Sequence, residues 1–152
     1  MRWTLASRVL MISLCIIFVL GVLGTVTLHF MLEFYSGYFF GETYMEPGYR
    51  AFIMTFLTVG AILGLWVILE MILMLRSIPQ GPFTMRNVRA LNRIGMVLFV
   101  MSAMFFAKLL EYSTFLTMSC GFLFLICGFF AFTLSGLFRQ AVIYKEENDL
   151  TI

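Results

Sequence analysis

The sequence predicts an all-α integral membrane protein, a bundle of four transmembrane helices with both termini in the cytoplasm. Composition is the first reason: 62% of the 152 residues are hydrophobic and 12% are charged, whereas soluble domains have ~45–50% and ~25%. The second is that four apolar runs approach the ~20 residues needed to cross a bilayer. The third is the clustering of basic residues between these runs. A water-soluble fold is excluded, and the length fits a single membrane domain.

The first helix is predicted over residues 9–32, after a short basic leader. A secretory signal peptide has an apolar core of ~7–15 residues, followed by a cleavage site with small residues. This run is longer than such a core and is not followed by such a site. We therefore expect it to be retained as a transmembrane helix.

Residues 33–50 are predicted to form an external loop. Its glycines and Pro47 favour turns, and it is rich in acids and aromatic rings. Aromatic rings collect at membrane interfaces, so the loop is interpreted as an aromatic belt or, alternatively, as a ligand-sensing lid. The residues concerned are Glu33, Phe34, Tyr35, Tyr38, Phe39, Phe40, Glu42, Tyr44, Glu46 and Tyr49.

The second helix is predicted over residues 51–75, and its Glu70 is an intramembrane carboxylate. A charge at that depth is costly unless it is paired, protonated or facing a polar cavity. We expect a structural ion pair with Arg76 or another nearby arginine, and a proton relay is the alternative. Gly60 and Gly64 form a GxxxG pair, which allows another helix to approach closely.

A basic amphipathic cytoplasmic loop, residues 76–93, precedes the third helix. Pro79, Gly81 and Pro82 break the preceding helix, and Thr84 is placed to cap the next one. An apolar face, formed by Met85, Val88 and Leu91, is expected at the acyl boundary, with an arginine collar facing lipid phosphates. The alternative is that the segment only sets the topology. The collar consists of Arg76, Arg86, Arg89 and Arg93.

The third and fourth helices are predicted over residues 86–110 and 115–145, joined by a short turn as an antiparallel hairpin. The third has a short apolar core, so Lys108 is expected to extend towards the membrane surface and can pair with Glu111 three residues later. The fourth has a stripe of small residues suited to helix contacts, formed by Gly121, Cys127, Gly128, Ala131, Ser135 and Gly136.

Charge counting predicts the orientation. With both termini inside, eight basic residues are cytoplasmic and two, Arg50 and Lys108, are external. Lys and Arg are enriched in cytoplasmic loops, so we expect N-in and C-in. The cytoplasmic set is Arg2, Arg8, Arg76, Arg86, Arg89, Arg93, Arg139 and Lys145.

The C-terminal tail, residues 146–152, is predicted to follow a short cytoplasmic extension of the fourth helix. Acids at a helix C-terminus oppose its dipole, so the helix should end near Lys145. An acidic segment with large apolar side chains is typical of a docking peptide, although it can also fold back on the arginine collar. The predicted partner-binding residues are Glu146, Glu147, Asn148, Asp149, Leu150 and Ile152.

Two segments, GPFTMRNVRALNRIG and YKEENDLTI, resemble the bacterial integral-membrane family known as domain of unknown function 2975. The resemblance covers nearly the whole chain and is most specific over residues 79–95 and 144–152. It implies four membrane spans in a bacterial cytoplasmic membrane. It also implies a neighbour, since members are often encoded beside a small helix-turn-helix DNA-binding protein. It implies no catalytic residues.

No catalytic or cofactor motif is present, so we expect neither an enzyme nor a cofactor. His29 and Glu33 alone do not make a metal site, and the three cysteines are interpreted as buried apolar residues. The predicted function is a regulatory or sensory membrane protein that binds a cytoplasmic protein, without binding nucleic acid directly. The alternatives are a transport or channel-type subunit, with Glu70 and Lys108 facing an aqueous path, and an immunity-type membrane protein. A homo-oligomer is compatible with the small-residue faces.

Overall fold

Four long helices make up the computed structural model, which describes residues 5–39, 47–77, 83–111 and 115–150. They are α1 (Leu5–Phe39), α2 (Pro47–Ser77), α3 (Met85–Glu111) and α4 (Phe115–Leu150). Each contains a stretch long and apolar enough to cross a membrane. The predicted all-helical architecture with four candidate spans is therefore confirmed.

The helices run at least four residues beyond the predicted bounds at four ends. Helix α1 begins at Leu5, four residues before its predicted start. Helix α1 continues through residues 33–39, which were expected in the external loop. Helix α2 begins at Pro47, because proline fits the first helical position, where its missing N–H is not needed. Helix α4 continues to Leu150, because lysine and glutamate favour helix and an exposed charge near a helix end costs only ~0.3–1 kcal/mol.

A regular seam joins α3 to α4, the most closely packed pair of helices. The opposed positions recur every seven residues on both helices, which is the repeat of helices that pack side by side in a shallow supercoil. The opposed pairs are Val88 with Ser135, Gly95 with Gly128, and Ser102 with Gly121. Because five of these six residues are Gly or Ser, the two backbones approach closely, as expected where helices pack within lipid.

Side-chain hydroxyls cross this seam near both of its ends. Ser135 Oγ donates to the Val88 carbonyl oxygen at 3.0 Å, and Ser102 Oγ donates to the Gly121 carbonyl oxygen at 2.9 Å. Both serines are buried. The predicted stripe is thus partly right: Gly121, Gly128, Ala131 and Ser135 are buried, whereas Cys127 and Gly136 are exposed.

Helices α1, α2 and α3 pack chiefly in chain order. Helix α1 meets α2 in an apolar cluster built around Leu14, Ile72 and Leu75, and most of the other α1 side chains are exposed. On α2, Gly60 meets only the flexible end of Met104, at 3.8 Å, and Gly64 has no neighbour within 4 Å of its Cβ position. Among the described residues, the GxxxG pair therefore does not bring two helices into close contact.

A polar junction between helices α2, α3 and α4

Glu70, which lies in the candidate membrane span of α2, forms an ion pair with the arginine furthest along α3. Arg93 Nε lies 2.8 Å from Glu70 Oε1, and Arg93 Nη2 donates to Glu70 Oε2 at 3.0 Å. Two parallel N–H···O bonds of this kind fix the relative position of both side chains. The exposed fractions differ, 10% for the Glu70 side chain and 51% for that of Arg93. The carboxylate is therefore the buried member of the pair.

A second polar contact between α2 and α3 lies about two turns from the ion pair, where α2 ends and α3 begins. Ser77 Oγ donates to Asn87 Oδ1 at 2.7 Å, and the Met74 carbonyl oxygen is another acceptor 2.7 Å from the same hydroxyl. Only 1% of Asn87 is exposed. A polar side chain this buried is costly unless it is hydrogen-bonded, so Asn87 fixes how the end of α2 meets α3.

The start of α3 is capped as predicted. The Asn87 N–H lies 3.4 Å from Thr84 Oγ1 and 3.0 Å from the Thr84 carbonyl oxygen, so it is satisfied by the residue preceding the helix. Phe83, just before the cap, packs against Phe138 of α4 with ring centroids 5.4 Å apart. With the Ser135 bond to Val88, these contacts join three helices in one junction. Within the described part of the chain, no buried side-chain nitrogen or oxygen lacks a hydrogen-bond partner.

The arginines of the predicted collar have different environments in the structure. Arg76, Arg86 and Arg89 are exposed, as expected for side chains that reach lipid phosphates or solvent, while Arg93 pairs with Glu70. The expected apolar face at the acyl boundary is mostly wrong, because Val88 and Leu91 are buried within the protein. These two side chains pack inside the bundle since α4 covers that side of α3.

The predicted partner-binding tail is the end of α4. Residues 143–148 are all exposed, and helix continues through the acidic segment to Leu150. The side chains of Asp149 and Leu150, and all of Thr151 and Ile152, lie outside the described residues. The fold-back alternative paired the tail with three arginines, but one of these, Arg93, is engaged by Glu70.

Lys108 lies at the opposite end of the α2–α3 contact. Its Nζ is 5.1 Å from the ring centroid of Phe56 on α2. The predicted pairing with Glu111 falls on a side chain outside the described residues, as does the pairing of His29 with Glu33. Among the described residues, no group of three metal-ligating side chains comes together.

Sequence reasoning missed Asn87 and Ser102, the two most buried polar side chains among the described residues. The signal was weak, because Asn and Ser occur on either face of a helix. The seven-residue spacing from Gly121 through Gly128 to Ser135, opposed by Gly95 and Ser102, is the pattern that indicates the seam.

The polar junction lies in the part of the chain that matches a known family. Residues 39–152 match the model of a family described as "Protein of unknown function (DUF2975)". The chain belongs to this family. The match begins at the last residue of α1, so the DUF2975 region comprises α2, α3, α4 and both segments that carried the resemblance. No curated protein and no solved structure matches this chain.

Proposed function

We propose that this DUF2975 member is a regulatory or sensory protein of the bacterial cytoplasmic membrane that binds a cytoplasmic protein through the end of α4. The observation that carries the proposal is the projection of α4. Ser135 lies opposite Val88, and Val142, one heptad further on, is the last buried residue of α4 among the described side chains. The eight residues from Ile143 to Leu150 then extend ~12 Å further at 1.5 Å per residue.

The chemistry of this projection suits a basic partner. Ile143 and Tyr144 are 42% and 67% exposed, and the exposed Glu146 and Glu147 follow them. An exposed helix that combines apolar side chains with acids fits recognition in a groove. The partner we propose is a small helix-turn-helix DNA-binding protein, the neighbour that the family resemblance implies. Its positive DNA-binding surface is complementary to the acids.

The proposal requires the N-in, C-in orientation. A cysteine at Glu146 should be shielded from a membrane-impermeant thiol reagent in intact cells, and one at Gly48 should be labelled. Both positions are exposed, so accessibility reports the side of the membrane, whereas Ser77, only 7% exposed, would be shielded by burial alone. The experiment uses a background in which Cys15, Cys120 and Cys127 are replaced by alanine. Labelling at Glu146 in intact cells would reverse the orientation and remove the proposed function.

Deleting residues 148–152 should release the partner without unfolding the membrane domain. The full chain is co-expressed with the helix-turn-helix protein encoded beside it and purified in detergent. We expect binding to weaken at least tenfold, a change of ~1.4 kcal/mol, because the truncation removes the end of the docking helix. The double variant Glu146→Gln with Glu147→Gln should bind the partner more weakly than wild type, by a smaller factor than the truncation. At high salt its affinity should equal that of wild type.

Lys145→Gln is the matched control, because this exposed residue adjoins the acids but has the opposite charge. It should leave binding intact or strengthen it. The melting temperature of the truncated chain without partner should equal that of the full chain. If the truncation lowers that temperature and the full chain retains no soluble protein, the end of α4 is structural and the docking proposal fails.

A further inference from the structure

An apolar groove separates α2 from α3 at the end of their contact furthest from the polar junction. This open groove has a volume of about 430 Å³ and is lined by one face of α2 and one face of α3. This volume lies within the ~300–1,000 Å³ typical of ligand sites. The lining residues are Phe52, Thr55, Phe56, Val59, Met104, Ala107 and Lys108.

The groove follows from the side chains that α2 and α3 present to each other. Phe56 packs edge-on against Phe105, with centroids 5.1 Å apart, and this contact holds the helices together along one side. The small side chains of Thr55 and Ala107 leave the other side open. From Phe52 to Val59 the groove extends ~10 Å along α2, at 1.5 Å per residue. An apolar gap of this kind loses its packing contacts when it is empty, so within a bilayer an acyl chain fills it.

A cation lines the groove, at the lining residue of α3 that is nearest the end of that helix. The ammonium of Lys108 lies over the Phe56 ring, and it pairs with no carboxylate among the side chains that the structure describes. Lys108 lies within one turn of the end of α3, which is headgroup depth for a helix that spans the bilayer. A basic side chain beside a groove between transmembrane helices is complementary in charge to an anionic lipid headgroup.

We propose that this groove binds one anionic phospholipid, with its phosphate against Lys108 and an acyl chain between α2 and α3. The occupant is identified by two complementary features: an apolar channel that runs into the membrane, and a positive charge where the channel reaches the headgroups. A zwitterionic lipid satisfies only the first. The site lies at the opposite end of α2 from the polar junction, and it does not depend on the proposed partner or on the orientation.

The test measures lipid retention by the full chain in native mass spectrometry, with phosphatidylglycerol compared with phosphatidylcholine. Wild type should retain one phosphatidylglycerol in preference to phosphatidylcholine. Lys108→Met should weaken retention about fivefold, equivalent to the ~1 kcal/mol of one basic side chain near an anionic surface. Lys145→Met, which removes an exposed lysine from the other end of the molecule, should leave retention unchanged.

A second pair of variants tests the groove independently of the charge. Ala107→Leu fills the groove and should reduce retention of phosphatidylglycerol. Ala103→Leu adds the same side chain one turn away on α3, at an exposed position outside the lining, and should not. A melting temperature close to that of wild type for each variant shows that the fold is retained.

Three results would overturn the proposal. The first is equal retention of the two lipids by wild type, which would indicate non-selective annular lipid. The second is unchanged phosphatidylglycerol binding in both Lys108→Met and Ala107→Leu. The third is an equal rise in the melting temperature of the protein with glycerol 3-phosphate and with phosphatidylglycerol, which would show that no acyl chain is needed.

Discussion

Replacing Arg93 with methionine should destabilise the protein more than replacing its partner Glu70 with glutamine. The reason is the unequal burial of the pair: the Glu70 side chain is 10% exposed and that of Arg93 is 51% exposed. Arg93→Met leaves a buried carboxylate without its counter-charge and its two hydrogen-bond donors. Breaking a fully buried ion pair lowers the free energy of unfolding by ~3–5 kcal/mol. Because Arg93 is half exposed, we expect a loss at the lower end of this range, ~3 kcal/mol.

Glu70→Gln leaves a different residue without its partner. The guanidinium of Arg93 can turn outward to water or lipid phosphates, and the glutamine still accepts a hydrogen bond. The expected loss is therefore ~1 kcal/mol, that of an ordinary hydrogen bond. Thermal melts of the two single variants and the double variant in detergent give the coupling energy. Absence of coupling between Glu70 and Arg93 would refute the structural interpretation and favour a role for Glu70 in proton or ion movement.

Replacing Gly128 with leucine should disrupt the α3–α4 seam. A Cβ at Gly128 would lie 3.3 Å from the Phe99 ring and 3.5 Å from the Gly95 carbonyl oxygen, and three further carbons have no space without separating the helices. Overpacking costs ~1–3 kcal/mol in a core that can adjust. Because the Gly95 backbone faces Gly128 and cannot move aside as a side chain can, we expect a loss of unfolding free energy near ~3 kcal/mol.

Gly136→Leu on the same helix is the control, because nothing lies within 4 Å of a Cβ at that position. This change should leave the melting temperature in detergent unchanged or raise it, since glycine is a poor helix former. Equal destabilisation by the two variants would mean that the seam is not where the structure places it.

The sequence predicted the helices well but the contacts between them less well. The number of spans, the Thr84 cap and the limits of α3 follow from local rules of hydropathy and capping. The sequence predicted that Glu70 pairs with one of several nearby arginines. Which arginine it meets depends on how far α3 is displaced along its axis relative to α2. Spacing along a single helix does not contain that offset.

Burial was the second quantity that local patterns did not determine. In a soluble protein the buried face of a helix is its apolar face, but in a membrane the apolar faces also meet lipid. Here Ile12, Phe130 and Leu137 are more than half exposed, whereas Asn87 and Ser135 are at most 3% exposed. The buried seam is therefore marked by small and polar residues, the reverse of the soluble rule.

The unequal packing of the four helices also bears on how the chain enters the membrane. Helix α1 is apolar almost all round and contacts chiefly α2, so it can partition into lipid on its own as soon as it leaves the ribosome. Helix α3 carries Arg86, Arg89 and Arg93 and a buried asparagine, groups that are costly to place in lipid individually. It is better suited to enter together with α4, as a hairpin whose serines already satisfy carbonyl groups across the seam. We therefore expect this chain to insert in two steps, with α1 entering lipid first and α3 entering together with α4.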